Sequence, residues 1–215
     1  PCPAQAGRQA ALVTSPAVAP SGPYLSAARA AGVPVVTEIE LSVERLLART
    51  PRQVLVGVTG TKGKSTTTAL LGRMLGAHHT THVGGNIGRP LINEVESIGA
   101  DDGVVLELSS YMLHYLGPRG VAPRVGVVTL ISSDHLEWHG GLEGYHDAKR
   151  NLLRHQGPDD HAVIYRASPA AESFAAATRG WVHWFVAATA GPVQMRLPGE
   201  HNQINAQGAL LAAKV

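Results

Sequence analysis

Ten residues, Gly57-Val-Thr-Gly60-Thr-Lys62-Gly63-Lys64-Ser65-Thr66, restrict the fold of this chain more than any other stretch. An apolar run, residues 54–58, precedes the turn, and residues 65–75, with leucines and a methionine at helical spacing, follow it. Strand, glycine-rich turn and helix in that order make a phosphate-binding loop. The turn aims backbone N–H groups at one point, and the helix N-terminus adds partial positive charge there. In such a loop Lys64 reaches the terminal phosphates, and the hydroxyl of Ser65 or Thr66 ligates Mg²⁺. The strict nucleotide-loop pattern asks for glycine five places before Gly63, where this chain has Val58. The alternative is an ordinary strand-to-helix turn with an exposed lysine.

The rest of the chain repeats the alternation. Strands are expected over residues 54–58, 104–108, 125–131 and 162–165, with helices over 65–75, near 110 and over 142–154. Strands alternating with helices predict an α/β fold, a parallel sheet covered on both faces, with ligands beyond the carboxyl ends of the strands. Before it, short strands at 10–14 and 33–36 flank a helix at 24–31, like the tail of a βαβ unit. A helix at 41–48 ends at Thr50-Pro51, which sets the expected boundary: residues 1–50 close one domain and residues 51–215 form the next. Residues 168–195 read as less regular, and residues 202–215 as a helix without a terminal cap. With no initiator methionine, the chain is expected to be part of a longer protein.

Several polar residues sit where packing does not ask for them. Glu107 ends the apolar run Val104-Val-Leu106, so it reads as a Mg²⁺ ligand or as the partner of a nearby lysine. Asp134-His135 follows the next strand, either as a functional pair or as a surface turn. Gly84-Gly-Asn86-Ile-Gly88 reads as a turn that a ligand can approach closely, or as a turn alone. Lys149, on a helix of mixed polarity, reads from composition as a solvated residue, and His78-His79-Thr-Thr-His82 as an exposed loop.

Taken in order, these segments resemble the Mur ligases, and within them the branch that adds D-glutamate. Thr59-Gly-Thr-Lys-Gly-Lys-Ser-Thr66 resembles the family's ATP loop, Gly84-Gly-Asn-Ile-Gly88 its substrate turn, and Leu106-Glu-Leu-Ser-Ser-Tyr111 its second-strand motif. Ser133-Asp-His-Leu136 and Tyr145-His-Asp-Ala-Lys149 resemble its metal segments, and Leu197-Pro-Gly-Glu-His-Asn202 with Asn205 the stretch that closes on adenine. The resemblance implies a P-loop central domain preceded by the end of a Rossmann-like UDP-binding domain, with the amino-acid-delivering C-terminal domain absent.

It also implies roles. Residues Gly60, Thr61, Lys62, Gly63, Lys64, Ser65, Thr66 and Asn205 would bind ATP, and Asn86 and Ser109 would line the UDP-muramoyl substrate. Ser65 and Glu107 would hold one Mg²⁺, and His135 with a carbamylated Lys149 a second. Lys64, His135 and Lys149 would be catalytic. The implied chemistry is ATP-driven, ADP-forming addition of D-glutamate to UDP-N-acetylmuramoyl-L-alanine through an acyl phosphate, in a cytoplasmic monomer serving cell-wall peptidoglycan synthesis. The chain departs from the family pattern at Lys62, Met112, Leu130 and Trp138. A sister ligase, adding L-alanine or diaminopimelate or extending folate, is the alternative within the class, and a non-catalytic nucleotide-binding paralogue the alternative outside it.

Bulk properties narrow the field. A net charge of +2 without a long Lys/Arg run gives little support for nucleic-acid binding. Cys2 alone excludes an intrachain disulfide and a cysteine-based zinc site. No apolar stretch reaches the length of a bilayer span. A switch GTPase is disfavoured because no Asn-Lys-x-Asp segment is present.

Overall fold

The computed structural model describes residues 11–215 except 52, 190 and 192. The chain opens with β1 (Leu12–Thr14), α1 (Pro23–Ala30), β2 (Val35–Thr37) and α2 (Glu38–Arg49). Strands β1 and β2 pair in parallel as a small sheet of their own. Helix α2 starts where the Thr37 N–H and hydroxyl both donate to Glu40 Oε2, each at 2.7 Å, which satisfies groups that a helix N-terminus otherwise leaves open. Ile39, Val43 and Leu46 on α2 are buried in the core of the larger sheet that follows.

That sheet is built from β3 (Val54–Thr59), β4 (Thr81–Gly85), β5 (Gly103–Glu107), β6 (Val125–Val128), β7 (His161–Tyr165) and β8 (Trp181–Phe185). Its order is β4-β5-β3-β6-β7-β8, and every pairing is parallel. Helices α3 (Lys64–Gly76) and α8 (Glu200–Ala212) pack together over one face; α4 (Ser110–Leu116) and α6 (Leu142–Arg154) pack over the other. A one-turn α5 (Leu136–His139) precedes α6, and α7 (Ala171–Ala175) follows β7. Both faces are covered, so the central strands are apolar on both sides: Val56, Val58, Val105 and Val127 face one core, Leu55, Val104, Leu106 and Val128 the other.

Because β3 lies between β5 and β6, the segments leaving these three strands emerge side by side at the carboxyl edge. Small residues bring α6 in close. A Cβ added to Gly57 would stand 2.5 Å from Leu152 Cδ1, and one added to Gly126 would stand 2.4 Å from Leu153 Cδ2. That approach carries Lys149, three residues before Leu152, in beneath the phosphate loop.

Several details differ from the sequence reading. Ala10, read as the start of the first strand, and Cys2 lie outside the described residues. The third central strand stops at Val128 rather than Ile131, although Thr129 N–H still bonds to the Thr59 carbonyl at 2.9 Å. Residues 168–195 hold a helix and the edge strand β8. The histidine segment is only partly a loop: His82 belongs to β4, its Nε2 2.9 Å from Asp102 Oδ2.

Candidate active site

The phosphate loop is a turn between β3 and α3. Gly63 precedes α3 with φ +92°, a left-handed conformation that favours glycine, and a Cβ there would stand 2.3 Å from Asn205 Oδ1 on α8. The loop is fastened to the segment beyond β6: Thr61 N–H bonds to the Leu130 carbonyl at 2.7 Å, and Thr129 Oγ1 donates to the Lys62 carbonyl at 2.7 Å. Lys62 and Leu130, both departures from the family pattern, therefore meet through their backbones. Ser65, exposed in the first turn of α3, and Thr66, half-buried beside it, sit where a helix leaves N–H groups without partners.

Two lysines converge on one carbonyl. Lys64 Nζ donates to the carbonyls of Gly60 at 3.0 Å and Thr61 at 3.1 Å, and Lys149 Nζ donates to the same Gly60 carbonyl at 2.8 Å. Lys149 is 1% exposed, which corrects its reading as a solvated residue. Tyr145, Ala148, Lys149 and Leu152 are all buried, at the spacing of one helix face, so the lysine lies in the apolar stripe of α6. Burial, and then the charge of Lys64, push the Lys149 pKa down to about 7; Asp134 and Glu107 oppose the fall. Burial lowers the Lys64 pKa as well, against the same two carboxylates.

Glu107 ends β5 and is 1% exposed. Its Oε1 accepts from Asn86 Nδ2 at 2.8 Å, while its backbone carbonyl accepts the Asn86 N–H at 2.8 Å. Its Oε2 is buried without a hydrogen-bond partner. A buried carboxylate oxygen left open between cationic groups suits a hard cation. Among the described residues no three His, Cys, Asp or Glu side chains converge as a metal cage. That donor set fits Mg²⁺, which is commonly held by one or two carboxylates together with substrate phosphates.

His135 is placed at the rim. It is exposed, carries a left-handed φ of 49°, and its ring lies 4.8 Å from that of Tyr111. Its N–H bonds to Asp134 Oδ1 at 2.9 Å. Ser109 caps α4, its Oγ accepting the Met112 N–H at 3.2 Å. The structure thus gathers Lys64, Glu107, Asn86 and Lys149 around the loop, with Asn205 against Gly63, Ser109 at the start of α4 and His135 on the outer side.

The structure gives Tyr145, His139 and Asp134 roles that the sequence reading did not assign to them. Tyr145 OH lies 2.9 Å from Thr61 Oγ1, and burial raises its pKa to about 12, so the phenol stays protonated as a brace for the loop. His139 Nε2 lies 2.9 Å from Ser110 Oγ; burial, with His114, Lys149 and His135 nearby, lowers its pKa to about 4. Asp134 acts electrostatically on both lysines. The helical stripe of α6 was a readable signal for Tyr145, whereas nothing in the local sequence marks His139.

Comparison with known proteins bears on this geometry. The profile of the Mur ligase middle domain matches residues 58–190. The chain is 37% identical over 235 residues to the UDP-N-acetylmuramoylalanine--D-glutamate ligase of Anaeromyxobacter dehalogenans, covering 95% of this chain and 50% of that protein. It is 38% identical to the protein of the same name from Pelotomaculum thermopropionicum, covering 94% and 49%. The chain therefore spans about half the length of these curated relatives. Among solved structures, MurF from Acinetobacter baumannii superposes with a TM-score of 0.66 at 20% identity, over 97% of this chain and 59% of that one. The UDP-N-acetylmuramate:L-alanyl-gamma-D-glutamyl-meso-diaminopimelate ligase from Neisseria meningitides superposes with a TM-score of 0.68 at 18% identity, over 99% and 76%. At those identities the likeness is one of fold.

Proposed function

The chain belongs to the Mur ligase family, and from that premise we propose that it is the nucleotide-binding part of an ATP-dependent ligase that adds D-glutamate to UDP-N-acetylmuramoyl-L-alanine. One observation carries the reading. The amines of Lys64 and Lys149 meet at the Gly60 carbonyl, and burial lowers the pKa of both against the opposing charge of the Glu107 carboxylate, whose Oε2 has no hydrogen-bond partner. Cations beside an open buried carboxylate, at the carboxyl edge of a parallel sheet, suit a triphosphate with its metal. The names of the relatives support the D-glutamate branch, as does the Glu107-Leu-Ser-Ser-Tyr111 segment.

In this reading the loop N–H groups and Lys64 bind the β- and γ-phosphates, with Asn205 placed beside Gly63 on the nucleotide side. Ser65 and Glu107 would hold Mg²⁺, which when bound would reduce repulsion between the substrate carboxylate and the triphosphate. Asn86 holds Glu107 in position through its hydrogen bond to Oε1. Asn86 and Ser109 line the muramoyl substrate. The substrate carboxylate oxygen attacks the γ-phosphorus, the bond to the β-phosphate oxygen breaks, and ADP leaves an acyl phosphate. The D-glutamate amine then attacks the carbonyl carbon, loses a proton and expels inorganic phosphate.

Lys149 enters by a change of charge. Its amine, whose pKa burial lowers to about 7, would capture CO₂ in its neutral form, release one proton to solvent and become an anionic carbamate, which together with His135 would hold a second metal. Phosphate release from ATP by the full-length protein, measured with each UDP-muramoyl precursor against each candidate amino acid, tests the assignment. Release is expected only with UDP-N-acetylmuramoyl-L-alanine and D-glutamate together. Robust release with UDP-N-acetylmuramate and L-alanine, and none with the expected pair, would move the protein to a sister ligase.

A further inference from the structure

The segment that carries Asp134 and His135 is tied down at its far end in two directions. His139 bonds to Ser110 at the start of α4, and the Trp138 indole N–H donates to the Ala17 carbonyl at 3.1 Å, across 121 residues of sequence. Ala17 lies in the turn of residues 15–20 that follows β1. Within the turn, Ala17 N–H reaches Ser15 Oγ at 3.4 Å and Val18 N–H the Ser15 carbonyl at 3.1 Å; its end is held by Gly22 N–H on the Ala19 carbonyl at 2.8 Å and by the Arg29 guanidinium donating to the Pro20 carbonyl, while Trp138 supplies the bond that joins it to the 134–139 segment.

The Trp138 ring is firmly placed. Its centroid lies 4.9 Å from that of Tyr111, 5.0 Å from His114 and 4.5 Å from His139. Pro20, at the end of the turn, faces Trp138, His114 and His139 across a cavity of about 230 Å³. This contact is on the α4 and α6 side of the sheet, whereas Asn205 approaches the phosphate loop from α8 on the opposite face.

We propose that Trp138 is a positioning residue: its indole N–H latches the 15–20 turn against the 134–139 segment, so that the turn forms one wall of the cleft for the carboxylate-bearing substrate and not for the nucleotide. This rests on the ligase reading for the identity of the substrate, and on geometry alone for the latch. A single hydrogen bond of this kind is worth about 0.5–1.5 kcal/mol, or about two- to tenfold in an equilibrium.

Trp138→Phe in the full-length protein keeps an aromatic ring and removes the donor. Amide hydrogen exchange, measured without substrate, is expected to quicken about two- to tenfold across residues 15–20 and to stay unchanged across residues 60–66. In turnover, KM for the UDP-muramoyl substrate should rise by a similar factor while kcat and KM for ATP hold. Unchanged exchange in the turn, or an equal rise in both segments, would overturn the latch. Faster exchange with an unchanged substrate KM would overturn the positioning role. If no precursor is turned over by the wild type, the ligase reading fails and the exchange result alone decides the latch. Should the variant not fold, the wild-type Trp138 indole N–H decides: slow exchange supports the latch, and exchange at the rate of a free indole refutes it.

Discussion

Replacing Lys149 by methionine should make the fold more stable near neutral pH while abolishing ligase activity in the full-length protein. The amine is 1% exposed, and its pKa falls from the ordinary 10.5 to about 7, mainly through burial and then through Lys64. That gap corresponds to about 5 kcal/mol between the charged and neutral forms. Between pH 7 and 10.5 the unfolded chain binds more protons than the folded one, so stability rises with pH across that window. Below pH 7 both states hold the proton and the full cost is present. Methionine has similar length and no charge, and the Gly60 carbonyl it abandons keeps Lys64 as a donor. The assay is urea unfolding of wild type and Lys149→Met in CO₂-free buffer from pH 6 to 9. The variant should be more stable at pH 6–7, and its advantage should shrink by about 2 kcal/mol between pH 7 and 9. Parallel pH profiles would refute a buried lysine titrating near neutrality, and with it the supply of neutral amine that a carbamate requires.

Further outcomes follow from the same geometry. Lys64→Ala in the full-length protein should weaken Mg²⁺-ATP binding by about 10- to 100-fold in calorimetric titration, the worth of a charged hydrogen-bond donor facing phosphate; equal affinities would show that Lys64 does not serve the phosphates. Gly85→Ala should cost roughly 3 kcal/mol in urea unfolding, since φ is +90° and the new Cβ would stand 2.2 Å from the Glu107 carbonyl oxygen; a neutral substitution would contradict this packing at the end of β5. His139 has its pKa lowered to about 4, so the unfolded chain binds more protons between pH 4 and 6.5 and stability falls as pH drops through that window. His139→Gln should flatten that part of the profile, and an unchanged slope would place the acid sensitivity elsewhere.

The central fold was legible because its strands are buried on both faces and therefore read as continuous apolar runs, and because Gly63-Lys64-Ser65 marks a strand-to-helix turn by composition alone. The two strands passed over are the edges of the sheet. In β4 the sequence Thr-His-Val-Gly-Gly carries polar and small residues because only β5 pairs with it, and in β8 Trp181 is 65% exposed. β4 lacks the apolar run that burial imposes, whereas β8, Trp-Val-His-Trp-Phe, is apolar except at His183 and carried a signal that the sequence reading missed. Lys149 misled the composition because one lysine in a polar helix looks solvated; its place four residues after Tyr145 and three before Leu152 was the available clue. The bonds from Trp138 to Ala17 and from His139 to Ser110 join residues distant in sequence, and no local pattern announces such partners.

Activation of a substrate carboxylate by ATP in this domain would leave an isotopic trace. UDP-N-acetylmuramoyl-L-alanine labelled with ¹⁸O in its free carboxylate would be incubated with ATP, Mg²⁺, D-glutamate and the full-length protein, and the released phosphate examined by mass spectrometry. The carboxylate oxygen that attacks the γ-phosphorus remains on the phosphate when the amine displaces it, so each product phosphate should carry one oxygen from the substrate. Unlabelled phosphate accompanying product would contradict an acyl-phosphate route, and no phosphate release with any muramoyl precursor would contradict the ligase assignment itself.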